Sequence, residues 1–196
     1  MMKKYILTLL TGTLCSTLVA QTPQTKMRDI FAQAPDSIFA MLSHNNKLDL
    51  IDFAEANMEA RVRNILDEDV VLEQLTEDYM SLWIAKDCNV EIKMLPTSQL
   101  LVNKTYSGPG LDSEVRLYDT QWNLLRVVPR PDIDRFMTEP NEDVKVEATV
   151  LPLISAKLSP DNYSITWTLQ SQEMTKETKK KAEKCLQSVV EDSLAL

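Results

Sequence analysis

Histidine, glycine and cysteine are scarce in this chain of 196 residues, which holds one, three and three of them. Each scarcity removes a class of chemistry. Zinc sites draw on clusters of His and Cys, and neither an HExxH nor a CxxC spacing occurs. The single histidine, His44, sits in the turn-forming run Ser43-His44-Asn45-Asn46, and no GxSxG accompanies it to build a nucleophilic triad. Gly108 and Gly110 flank Pro109, which marks a loop tip rather than a phosphate cradle. No cofactor or metal is therefore expected. Basic residues are also in deficit, 21 against 29 acidic, for a formal net charge of −8. Such a surface disfavours nucleic acid and anionic lipid, whose binding rests on lysine and arginine neutralising phosphates. Beyond the N terminus no run of 18 apolar residues occurs, so no transmembrane segment is expected in the mature chain.

What the chain does have begins with MMKKYILTLLTGTLCSTLVA. Lys3 and Lys4 form a basic start, residues 6–14 an apolar stretch too short to span a bilayer, and Val19-Ala20 a cleavage site. Residues 1–20 read as a secretory signal peptide, which places the mature protein in the periplasm or at the cell surface. Leu14 stands where a lipobox needs a small residue before Cys15, so a soluble exported protein is favoured over a lipid-anchored one. Export permits a disulfide between the remaining cysteines, Cys88 and Cys185, and the long loop would contribute up to ~4–5 kcal/mol. Two separate thiols fit as well, with Cys185 beside Leu186 and Val189 packing on a helix.

The periodicities describe an α+β fold, with N-terminal helices and a C-terminal helix packed on antiparallel β-sheet. Apolar residues at helical spacing cover 27–34, 38–42 and 47–63. Short β-like runs follow at 79–84, 90–95, 99–106, 114–118 and 122–128. The turn chemistry between them is too short for parallel crossovers. Residues 132–138 read as one helical turn between prolines. The strict alternation of 144–150, VKVEATV, reads as a strand, joined by strands at 153–158 and 163–169. A lysine-rich helix closes the chain at 175–193. Residues 21–128 thus form a helical region plus a meander, and 129–196 hairpin strands plus a helix. The two parts make one compact unit or two lobes meeting near Pro129 to Pro140.

The stretch 47–63, KLDLIDFAEANMEARVR, carries the densest polar cluster. On an unbroken helix Asp49, Asp52, Glu55 and Glu59 share one arc, opposite Leu50, Ile51, Phe53, Ala54 and Met58. Four carboxylates can serve glycoside hydrolysis or calcium binding if a second element faces them, although a solvated acidic face is the commoner outcome. Arg61 would point into the apolar arc of the same helix. Either the helix stops near Ala60, or Arg61 forms a structural ion pair with a carboxylate or carbonyls on the sheet. The second is expected.

The segments PDSIFAMLSHNNKLDLIDFAE (35–55), LTEDYMSLWIAKD (75–87) and LDSEVRLYDTQWNLL (111–125) resemble a family of uncharacterised exported α+β proteins. It is a domain of unknown function from Gram-negative anaerobes of gut and mouth. The resemblance implies an exported α+β protein with no assigned activity and no catalytic residues to carry over. It also implies O-glycosylation at Asp-Ser before an apolar residue, which makes Ser37 and Ser193 candidates. The functional expectation is a non-enzymatic binding or structural protein whose partner is an unknown envelope protein or glycan. The alternative is a carboxylate-dependent hydrolase acting on glycan through residues 49–59.

Overall fold

The computed structural model describes residues 26–170 and 174–193. The expected signal peptide lies outside them. The fold is α+β: two antiparallel sheets carry helices at both ends of the chain. The larger sheet is a seven-stranded meander in strict sequence order. Its strands are β1 (Arg61–Arg63), β2 (Asp69–Leu75), β3 (Tyr79–Ala85), β4 (Cys88–Met94), β5 (Gln99–Ser107), β6 (Leu111–Asp119) and β7 (Leu124–Val128). Tight turns dictate this order, because neighbours joined by a few residues can only pair antiparallel. At the β6–β7 turn Asp119 Oδ1 accepts the backbone N–H groups of Gln121 and Asn123, both at 2.9 Å. Trp122 between them takes a left-handed φ of 65° and donates its indole N–H to the Ile30 carbonyl.

Both faces of this sheet are covered. One face carries Leu72, Met80, Leu82, Val90, Ile92, Leu100 and Val102, and packs under α1 (Met27–Ala32), the turns after it, and α2 (His44–Glu55). Phe31 and Phe39 meet edge to face there at 5.3 Å. The other face, with Leu101, Val115 and Leu117, packs against the second sheet. Burial on both sides explains why β3 lacks the wet face of a simple amphipathic strand.

The helix expected over 47–63 is shorter than its apolar spacing predicts. Ser43 caps α2 by accepting the Asn46 N–H. At the other end Asn57 adopts a left-handed φ of 55°, its N–H bonds to Ala54 O, and Met58 N–H bonds to Phe53 O. This paired 5→2 and 6→1 arrangement is a Schellman stop. The helix therefore ends before Met58, Glu59 and Arg61, and Met58 is exposed. The expected short helix over 38–42 is instead a pair of turns anchored on the Pro35 and Phe39 carbonyls.

The second half departs from expectation twice. Residues 144–150 do not form a strand. Residues 144–149 belong to α3 (Glu142–Thr149) and Val150 caps its end; the Asn141 side chain accepts the Val144 N–H at the start, and the first turn is acidic. Alternation of valine with charge is compatible with a helix as well as a strand. Val144 and Ala148, one turn apart, are fully buried, whereas Val146 and Val150 are exposed. The closing helix is also shortened. Here α4 (Lys176–Cys185) stops, and Val189–Ser193 forms strand β10 instead. It joins β8 (Ile154–Leu158) and β9 (Ser164–Leu169) in a three-stranded sheet of order β10-β9-β8, with Val190 opposite Trp167. Two adjacent β-branched residues beside an open strand edge favour this pairing over more helix.

The two sheets share one core. β8 runs across β6, β5 and β4, and its outer backbone edge is satisfied by side chains of the larger sheet. Asp112 accepts the N–H of Ile154, Ser113 that of Ala156 and Glu91 that of Leu158, while Asn103 donates to the Ala156 carbonyl. The edge is thus closed without a further strand.

Candidate functional site

A cleft of about 520 Å³ opens between the sheets, within the range of small-molecule pockets. Its floor is apolar: Leu101, Leu117 and Ile165 are buried, and Leu95 and Val128 complete it. Its polar rim comes from Arg126 on β7, Arg130 just after it, Arg135 in the 3₁₀ turn Ile133–Phe136, and Asp192 with Ser193 on β10. The ladder fixes Arg126. Leu101 pairs with Leu117 across β5–β6, and Leu117 with Arg126 across β6–β7, so the three side chains rise from one face in a row.

The three guanidinium groups are not equivalent. Arg130 Nη1 meets Asp112 Oδ1 at 3.1 Å, the oxygen that also accepts the Ile154 N–H. Arg135 Nη1 meets Asp192 Oδ1 at 2.6 Å. The second Asp192 oxygen accepts the indole N–H of the fully buried Trp167 at 2.9 Å. The Arg126 side chain is exposed, and its guanidinium makes no ion pair or hydrogen bond with any described residue. Among the described residues the cleft therefore carries one uncompensated positive charge, in a chain whose formal charge is −8. The arrangement can hold an anionic group at its rim and an apolar group on its floor.

A family model described as "Protein of unknown function (DUF3256)" matches residues 18–191. The chain belongs to that family. The resemblance on segments 35–55, 75–87 and 111–125 is to a family of this uncharacterised kind. A solved structure, described as "Structure of a domain of an uncharacterized protein from Porphyromonas gingivalis W83", is similar with a TM-score of 0.72. The two are 18% identical over 85% of this chain and 93% of that one, a likeness that shows the fold alone. No curated protein matches.

The acidic residues singled out in 47–63 are not assembled on one helix. Asp49 and Asp52 are exposed on α2, Glu55 ends it and pairs with Arg28, and Glu59 lies beyond the Schellman stop. Arg61 is on β1, where it meets Glu59 Oε1 at 2.6 Å and Asp69 Oδ2 at 2.9 Å. This pair ties the strand to β2 at the rim of the sheet, half exposed, rather than beneath a helix. Cys88 and Cys185 are both free and buried, in separate clusters. Cys88 packs under α1 and α2 from the larger sheet, while Cys185 packs with Val144 and Ala182 between α3 and α4. Burial pushes the Cys88 thiol up from its ordinary value, partly offset by the Lys104 ammonium. Ser37 and Ser193 are exposed, and Ser193 stands at the cleft.

Among the described residues no three His, Cys, Asp or Glu side chains gather as metal ligands. Nor is any described helix long and apolar enough to cross a membrane. Ser193 apart, the cleft residues carry no mark in the sequence, where Arg126 lies inside an apolar strand. Three arginines between positions 126 and 135 of an acidic chain were the one available signal.

Proposed function

We propose that this chain is an exported, non-enzymatic binding protein of the periplasm or cell surface, and that its ligand sits in the cleft between the two sheets. Export rests on the first twenty residues, with their paired lysines, apolar core and Val19-Ala20. The observation that carries the binding role is the cleft itself, an apolar floor walled by three guanidinium groups. Its chemistry favours binding over turnover. Asp192 is the carboxylate on its lining, and that group is already engaged by Trp167 and Arg135. A hydrolase built on Asp49, Asp52, Glu55 and Glu59 has weaker support, since Glu59 is off the helix that carries the others.

Titration of isotope-labelled protein with glycan and small-molecule fractions of the native envelope tests the assignment by backbone amide shifts. Shifts confined to Gln99, Leu101, Leu117, Arg126 and Ile165 are expected, with the fractions recovered unchanged. Shifts centred on Asp49 and Asp52, or new reducing ends in the glycan, overturn it. Cell fractionation with N-terminal sequencing tests export, and a mature chain beginning at Gln21 is expected.

A further inference from the structure

The geometry points to an amphipathic anion as the ligand of the cleft: one carboxylate, sulfate, sulfonate or phosphate group joined to a compact apolar body, with Arg126 as its anchor. This rests on the cleft being the binding site. Arg130 and Arg135 each spend a guanidinium edge on a carboxylate of the protein, Asp112 and Asp192, so their charges are balanced in place. Arg126 has no such partner among the described residues, although Asp and Glu outnumber Lys and Arg in the chain. An arginine presents a planar fork of donors that matches an oxyanion in two-point contact. Its register neighbours on the same face are Leu117 and, beyond it, Leu101, both buried. An anion held at Arg126 would therefore lie at the end of an apolar row that runs inward, and a hydrocarbon or aromatic group attached to it would cover that row. An uncharged sugar would leave the Arg126 fork unmatched. A bare inorganic anion would leave the floor uncovered.

The test uses the mature chain and three probes: octanoate, the fluorescent aryl sulfonate 8-anilinonaphthalene-1-sulfonate, and uncharged 1-octanol. Amide shifts locate each probe and fluorescence titration gives the affinity of the sulfonate. Octanoate and the sulfonate are expected to compete and to shift Leu117 and Ile165. Arg126→Gln should weaken both about tenfold or more, the scale of one charge-assisted contact, and Arg126→Lys should recover part of the loss. Arg126 is exposed and has no partner among the described residues, so Arg126→Gln should fold with an unchanged thermal midpoint. If octanol binds the cleft as well as octanoate, and Arg126→Gln changes neither, the anion assignment is overturned and the cleft stands as an apolar site. If the envelope fractions shift the cleft amides but neither anionic probe does, the ligand class is again wrong. Failure of every probe and every fraction at the cleft removes the binding site as well.

Discussion

Glu91 of β4 accepts the backbone N–H of Leu158 on β8 at 3.1 Å, across 67 positions of sequence. The same carboxylate accepts the Tyr79 hydroxyl at 2.8 Å and the Asn103 amide at 2.9 Å, and it is buried. Asn103 in turn donates to the Ala156 carbonyl. One side chain therefore joins three strands of the larger sheet to the edge of the smaller one. The position of β8 decides where β9 and β10 lie, and so where Ile165 and Asp192 meet the cleft.

Removing that carboxylate should cost more than its size suggests. Glu91→Ala takes an acceptor from three buried donors, of which only the Asn103 amide keeps another, the Ala156 carbonyl, and a loss of about 3–5 kcal/mol is expected. Glu91→Gln can turn its amide nitrogen toward the Tyr79 oxygen, which is able to accept, and should cost about 1–2 kcal/mol. Urea denaturation followed by tryptophan fluorescence reads both. Equal losses for the two variants would show that the side chain fills space and little else.

Residues 144–150 give a direct test of helix against strand. In α3 only Val144 and Ala148 face inward, so Val144→Ala should cost about 2 kcal/mol. Val146→Ala should fall within about 0.5 kcal/mol of the parent, since its side chain is exposed and alanine is the better helix former. A strand would bury both valines on one face, and the two substitutions would then cost alike.

The free thiols predict indifference to reductant. Thermal midpoints with and without dithiothreitol should coincide, because Cys88 and Cys185 lie in different clusters. Alkylation of the native protein should be slow at both sites. At Cys88 burial also raises the thiol pKa and so lowers the reactive thiolate fraction. A non-reducing peptide map that joins the two cysteines would contradict this arrangement.

The contact between α3 and α4 should weaken in acid. The Thr178 hydroxyl, with the Thr175 backbone N–H, holds the Glu147 carboxyl below its ordinary 4.5. The Lys181 ammonium likewise holds Asp143 below 3.8. A carboxylate whose pKa is depressed by folding contributes stability that is present above its unfolded value and lost as pH falls through its folded value. Stability should therefore be flat above about pH 5 and decline below about pH 4.5. In the double variant Glu147→Gln, Asp143→Asn the decline between pH 5 and pH 3 should be shallower, as measured by urea midpoints. An identical decline in the variant would assign the acid loss elsewhere.

The meander was legible in the chain because its determinants are local. Short apolar runs in 79–84, 90–95 and 99–106, parted by turn residues, allow little besides adjacent antiparallel strands. The stop at Asn57 was local too, but the continuing apolar spacing to Met58 concealed it. Other features were not local at all. The alternation in 144–150 fits a helix or a strand, and the decision fell to the Asn141 cap and to which valines could be buried. Val189–Ser193 became a strand because β9 offered an unpaired edge, a fact held some twenty residues away in the chain. The cleft lies furthest from the sequence. Leu117, Arg126, Arg135, Ile165 and Asp192 belong to separate elements, and only the docking of β8 through Glu91, Asn103 and Ser113 gathers them. Hydrogen bonds within a turn are specified by neighbouring residues, whereas a cleft between two sheets exists only once both have formed and packed.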